Sequence, residues 1–349
     1  MDLTNLYIGL KKLYQRIQGQ SCDESSLIAF RDGEKDELLF LLLVTANQYG
    51  YYQVHFFEDF EGFMRFNLFL EYIHEYDTAT VVLRKGFEIR FEDREEVPPL
   101  QYQEIKKSDV RFRGRGNWPV ICFYRPMEFV THVGEEEMQQ LCSWVDLLQE
   151  DYVFEKVEEL LYAKMYDVPC VTIYPNKKQA DSLHPIPITP DLVGTTVHPL
   201  SDFPKQRLQV PEFLLYKVKR NLRFYEENYV EISVQAHIDA TVTPNQCVYE
   251  LFAATADEGI LFFEEFDQLN VKQLQQSILD FLVQYEELPT GLVCGGVLGN
   301  YVAQALIPLG REMEFSVGAV EQLPVFSKIT DEDKLAFFIM NYEDYEEDE

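Results

Sequence analysis

Apolar positions recur along this chain with two periods. In the opening MDLTNLYIGLKKLYQRI, Leu3, Leu6, Ile8, Leu10, Leu13 and Ile17 are spread among polar residues, which predicts an amphipathic helix over 2–18. Three short apolar runs follow, Leu27 to Phe30, Leu38 to Val44 and Tyr51 to Phe57. The acidic DGEKDE at 32–37 separates the first two, and the turn residues Asn47 to Gly50 separate the next pair. Links this short join antiparallel neighbours, so the runs read as a meander. Phe63, Phe66, Leu70 and Ile73 then recur at three- and four-residue steps, predicting a helix over about 60–72. A strand is expected from Thr80 to Phe91, interrupted at Gly86, and Pro98-Pro99 opens another short helix. Met138, Leu141, Val145, Leu148, Val153, Val157 and Leu161 make the stripe of one long helix from Glu135 to about Ala163.

The rhythm changes after that helix. Seven prolines (175, 185, 187, 190, 199, 204 and 211) fall in 175–211, a composition that suits an extended connector better than a core element. Beyond it a helix is expected over 212–223, and VEISVQAHI alternates as a strand within 229–238. Cys247 to Ala256 and Ile260 to Phe266 flank Asp257-Glu258-Gly259 as a hairpin. Asn270 can cap a helix over 271–285, bearing Leu274, Ile278, Leu279 and Leu282 on one face. A strand at 291–294, a helix at 297–306, a strand at 314–317 and a short helix to Val325 complete the pattern. Right-handed crossovers would make these later strands parallel. The reading is thus an α+β N-terminal domain over 1–170 and a proline-rich connector over 171–211. An α/β C-terminal domain over 212–330 and an acidic tail over 331–349 follow. The order of elements in 212–330 is compatible with an RNase H-like sheet.

Composition adds a constraint. Of 349 residues, 46% are hydrophobic and 14% aromatic, enough for real cores, yet the formal net charge is −30. Such a chain is repelled by nucleic-acid phosphates and anionic lipid unless its bases are gathered on one face. The longest charge-free apolar run near the start, Leu38 to Val44, is far short of the roughly 20 residues that span a bilayer. No targeting pattern opens the sequence, so a cytoplasmic protein with no membrane partner is expected. The cysteines (22, 122, 142, 170, 247 and 294) and six histidines are dispersed, with no metal-ligand spacing. No cofactor motif stands out.

The bases are indeed segregated. Lys106, Lys107, Arg111, Arg113, Arg115 and Arg125 face one acid, Asp109, in 105–125. Lys205, Arg207, Lys217, Lys219, Arg220 and Arg223 face one acid, Glu212, in 205–223. An anion site needs such clustering. So does an internal salt-bridge surface in a chain with 60 carboxylates, and that reading comes first. Candidate binding residues are Arg111, Arg113, Arg115, Trp118, Arg125, Lys217, Lys219, Arg220 and Arg223. Within RFRGRGNWPVICFYRP, Gly114 and Gly116 permit sharp turns and Trp118 can seat the loop on the core. Arg113 and Arg125 are then expected to tie the loop down, leaving Arg111 and Arg115 free.

Other chemistry is thin. CGGVLGN at 294–300 joins a strand to a helix, but it is neither GxGxxG nor a P-loop, and a tight structural turn explains it. A two-metal nuclease site in 212–330 would need Glu250 on a first strand and Asp280 on a helix, and the strand at 290–294 supplies no third acid. The chain ends in EDYEEDE, six acids in seven residues, a segment expected to be disordered and solvated, with transient docking on a basic cluster as the alternative.

Phe112-Arg113-Gly114, Trp118-Pro119 and Tyr124-Arg125-Pro126 resemble the FRG…WP…YRP segment of an uncharacterised bacterial two-domain family. The meander and helix from Leu27 to Phe66 are similar to that family's N-terminal domain. Members often carry glycine or another small residue after the final proline, where this chain has Met127-Glu128. The resemblance implies architecture and no activity. Two functions follow as expectations. One is a non-enzymatic binding or regulatory module with a protein partner. The other is a nucleic-acid-associated protein with a degenerate nuclease-like domain, using the two basic clusters.

Overall fold

The computed structural model describes residues 3–18, 26–46, 50–128, 130, 132–161, 168–186, 208–223, 228–239, 246–285 and 287–343. The chain forms two compact units, one of residues 1–68 and 83–197 and the other of 69–82 and 198–349. Helices and strands are mixed in both, as expected.

In the first half of the chain, α1 (Thr4–Ile17) precedes β1 (Ser26–Asp32), β2 (Glu37–Ala46) and β3 (Tyr52–Phe57). Then come α2 (Phe60–Glu71), α3 (Tyr76–Leu83), β4 (Gly86–Glu92), α4 (Pro99–Lys107) and β5 (Trp118–Tyr124). α5 (Glu135–Gln149), α6 (Asp151–Leu161), β6 (Val168–Tyr174) and β7 (Gln179–Ile186) follow, and all of these elements but α3 and the end of α2 lie in the first unit. Its seven strands form one sheet in the order β5-β4-β3-β2-β1-β6-β7, antiparallel except where β6 lies parallel to β1. The meander is the one the short turns require.

The run LLFLLLV is continuous because β2 is central and covered on both faces. Phe40, Leu42 and Val44 join the main core, while Leu41 and Leu43 are as deeply buried on the other face. Phe30, Phe40 and Phe56 stack across β1, β2 and β3, with ring centroids 4.5 and 5.8 Å apart. Trp144 of α5 closes on this row, 5.4 Å from Phe40 and 6.0 Å from Phe56.

Four local expectations change. Thr80 to Leu83 belongs to α3, not to a strand. Its residues are buried without interruption, so no periodicity separates helix from strand there, and β-branched content misleads. The helix expected over 135–163 is two helices, because Glu150 adopts extended backbone (φ −65°, ψ 121°). β7 lies inside the stretch expected as connector, and 187–207 of that stretch falls outside the described residues. Residues 331–343, expected as tail, form a helix, leaving 344–349 outside the described residues.

The second unit contains α7 (Glu212–Val218), β8 (Leu222–Arg223), β9 (Tyr229–Asp239), β10 (Gln246–Thr255) and β11 (Gly259–Phe266). It continues with α8 (Val271–Tyr285), β12 (Glu287–Leu288), β13 (Gly291–Gly295), α9 (Gly299–Met313), β14 (Ser316–Ala319) and α10 (Asp331–Glu343). The Asn270 side chain caps α8 by accepting the Gln273 N–H at 2.9 Å. Five strands take the order β11-β10-β9-β13-β14. β9, β10 and β11 are antiparallel, and β13 and β14 run parallel to β9. Neighbouring residues of β11 face opposite ways. Phe262 meets Phe281 of α8, and Phe263 meets Phe338 of α10, so the two helices cover opposite faces of the sheet.

Residues 69–82 belong to this second unit for a hydrogen-bonding reason. β9 pairs with β13 only through Ser233, which leaves the rest of that edge open. Thr78 of α3 accepts the Ala236 N–H at 2.9 Å, and Asp77 accepts the Ile238 N–H at 3.3 Å. Two helical side chains thus stand in for a missing strand.

Candidate functional site

The arginine-rich segment folds as a clasp at the end of β5. Asp93 accepts the Gly116 N–H at 2.9 Å, and Asn117 Nδ2 donates to the Arg113 carbonyl at 2.5 Å. Gly116 has φ +63°, and a Cβ there would lie 2.7 Å from the Tyr51 ring. Trp118 stacks near Tyr102 and Phe112, with centroids 5.8 and 5.9 Å away. On α4, Gln101 pairs with both backbone groups of Ile121, donating to its carbonyl at 2.6 Å and accepting its N–H at 2.9 Å. The outer edge of β5 is satisfied there.

Within the clasp, Phe112 is buried against Tyr7 and Trp118, while Arg111 and Arg113 on either side are exposed. An extended backbone sends alternate residues the same way, so burying Phe112 displays both arginines together. They border a cleft of about 460 Å³ whose other wall is α1 and its C-cap, through Lys11, Tyr14, Gln15 and Gln18. Lys11 Nζ donates to the Arg111 carbonyl at 2.9 Å and bridges the two walls. The lining thus carries three cations, three side-chain amides and no carboxylate. Neither Arg111 nor Arg113 forms an ion pair among the described residues.

The nine candidate residues separate clearly. Arg111 and Arg113 come together, and Arg113, expected to tie the loop down, is free of acids among the described residues. Arg115 is exposed on the turn and lies outside the cleft lining, acting electrostatically on Tyr51. Trp118 supports the clasp from beneath. Arg125 is tied down as expected, paired with Glu128 at 3.2 Å and with Glu137. Lys217, Lys219 and Arg220 lie on and just after α7 in the other unit, with Lys219 paired to Glu312. Arg223 is on β8, and its side chain is outside the described residues. Lys11, Gln15 and Gln18 join the site without belonging to either basic cluster of the sequence. Their only signal is the polar face of α1, which meets the clasp 100 residues away in sequence.

A second concentration of charge is buried in the same unit. His55 of β3, Glu88 of β4 and Cys122 of β5 are cross-strand neighbours. Arg84 donates to Glu88 at 3.2 Å and lies 3.8 Å from the centroid of the Tyr124 ring. Tyr124 also donates to Glu88, at 2.8 Å. Burial opposes ionisation of Glu88, but the charges of Arg84, His55 and Arg90 outweigh it and hold the carboxyl at about 2. Burial pushes the His55 imidazole down to about 4 and the Cys122 thiol up. Cys122 is therefore a protonated thiol, with Glu88 standing between it and His55, and the row lacks an activated nucleophile.

The chemistry considered for the second unit resolves into structure. Glu75 occupies the glycine-rich turn at 294–300, its Oε2 accepting the Val297 N–H at 3.3 Å. Gly296 has φ +75°, and a Cβ there would lie 2.9 Å from the same carboxylate. Glu250 is on β10, not on the sheet's first strand, and Asp280 accepts from Gln276. The acid on β9, Glu231, is buried and accepts the N–H groups of Val325 and Phe326 at 2.9 and 3.1 Å. Among the described residues, no three His, Cys, Asp or Glu side chains group as a metal site, and no helix is long and apolar enough to cross a membrane.

A family model described as a domain of unknown function (DUF7309) matches residues 4–166. That span contains both walls of the cleft and the whole clasp, and it ends before β6. The similarity brings no activity with it. No curated protein and no solved structure matches the chain.

Proposed function

We propose that the first unit is a non-enzymatic binding module of a cytoplasmic protein, taking an anionic group of a protein partner into the cleft between α1 and the clasp. The observation that carries this reading is the lining: Lys11, Arg111 and Arg113 converge without a carboxylate in a chain of net charge −30. Long-range repulsion from such a chain disfavours polyanions. A single phosphate or carboxylate is instead held by short-range, charge-assisted hydrogen bonds. Arg111 and Arg113 present fork-shaped donors, and the amides of Gln15 and Gln18 offer neutral ones.

The test is thermal unfolding followed by tryptophan fluorescence. Both tryptophans, Trp118 and Trp144, lie in the first unit, so the signal reports that unit alone. Inorganic phosphate at about ten times its Kd should stabilise the protein by about 1.4 kcal/mol, and the Arg111→Ala/Arg113→Ala variant should lose that increment. Equal stabilisation of both proteins would sink the proposal, because it would be a general salt effect.

A second reading, a degenerate RNase H-like domain in the second unit, is supported by the order β11-β10-β9-β13-β14 with its first three strands antiparallel. It calls for nucleic-acid association without hydrolysis, given the structural employment of Glu231. Lack of binding to single-stranded DNA and RNA at low salt would remove it.

A further inference from the structure

We propose that the exposed face of α7 is a docking site for the acidic C-terminal segment, Glu343 to Glu349, of a second copy of this chain. α7 is fixed from below: Val218 is buried, and Asn221 just beyond it donates to the Leu282 carbonyl of α8 at 2.6 Å. Its outer face is unusual for a protein with this charge. Phe213 and Tyr216, three residues apart and so side by side on the helix, are 67% and 65% exposed. Lys217 Nζ lies 5.6 Å from the centre of the Phe213 ring, and Arg220 follows one turn after Tyr216. Exposed aromatic rings framed by cations are the composition of an interface centre, not of a solvated surface.

The occupant is argued from charge, composition and reach. The segment EDYEEDE places six carboxylates around Tyr345, complementary to a face with Lys217 and Arg220 around two aromatic rings. Its own copy is a poor acceptor. α10, which ends at Glu343, covers one face of the sheet, and α8, which carries α7, covers the other. Six residues beyond Glu343 span at most about 20 Å, and the axes of α10 and α8, on opposite faces of the sheet, are already separated by about 20 Å. The contact is therefore made between molecules. Donor and acceptor surfaces differ, so it closes as a dimer when two copies exchange segments and otherwise extends as a chain.

Sedimentation velocity of the full chain tests this. Self-association should be about tenfold stronger in about 50 mM salt than in about 0.5 M salt. It should be lost in Phe213→Ala/Tyr216→Ala, in Lys217→Glu/Arg220→Glu and in the full chain carrying Glu346→Gln, Glu347→Gln, Asp348→Asn and Glu349→Gln. A labelled EDYEEDE peptide should bind the tail-neutralised chain and fail to bind either α7 variant. Phe213, Tyr216, Lys217 and Arg220 are exposed, and circular dichroism checks that each variant is folded. A chain that stays monomeric at low salt and ignores the peptide overturns the proposal. So does association that survives the α7 variants, or peptide binding abolished by Arg111→Ala/Arg113→Ala instead, which would place the segment in the cleft. Binding of a single-stranded oligonucleotide at α7 without binding of the peptide would assign the face to nucleic acid and also overturn it.

Discussion

The buried imidazole of His55 should make the first unit sensitive to acid above the range where carboxylates titrate. His55 is 2% exposed, its Nε2 lies 3.4 Å from the Thr45 hydroxyl, and its Nδ1 has no hydrogen-bond partner among the described residues. Burial, reinforced by Arg84 and opposed by Glu88, lowers its pKa from 6.5 to about 4. The unfolded chain therefore takes up a proton that the folded chain refuses, so stability falls as pH drops from the unfolded value toward the folded one. The full difference is about 3 kcal/mol, of which about 2 kcal/mol is lost by about pH 5. Glu88, held at about 2, adds a further loss only below its unfolded value of 4.5, so the window between about pH 7 and pH 5 belongs to histidine. Urea unfolding followed by tryptophan fluorescence reads this window for the first unit alone. The comparison protein is His55→Phe, whose ring keeps the contacts with Phe66 and Phe57 and does not titrate. The wild type should lose about 2 kcal/mol more than the variant between these pH values. Identical slopes for the two proteins would refute the reasoning.

Two further outcomes follow from backbone conformation. Met127 adopts φ +65°, where a side chain costs about 1 kcal/mol, so Met127→Gly should raise the tryptophan-detected stability by about that amount. A decrease would show that Met127 packing outweighs its strain. Gly296→Ala should destabilise the second unit by about 1–2 kcal/mol, through its positive φ and the approach to Glu75. Circular dichroism melting should resolve a lowered transition while the tryptophan-detected transition stays in place.

Much of the fold was written in local pattern. The meander follows from apolar runs broken by DGEKDE and Asn47 to Gly50, and the hairpin, Asn270 cap and α8 follow from turn chemistry and helical spacing. RFR, with one apolar residue between two bases, already contained the display of Arg111 and Arg113 around a buried Phe112. What sequence left open depended on partners distant along the chain. Asp77 and Thr78 of α3 serve the open edge of β9, a demand that originates some 160 residues later. Charge density did not distinguish Arg125, neutralised by Glu137, from Arg113, left to the cleft, because pairing is decided by which acids the fold brings within reach. Lys11 becomes part of a site only when α1 is laid against the clasp, and Glu75 becomes the anion of the glycine turn only when residues 69–82 join the second unit. Periodicity and turn residues act over a few positions and can be read in order. Convergence of charges acts through space, and only the tertiary structure decides it.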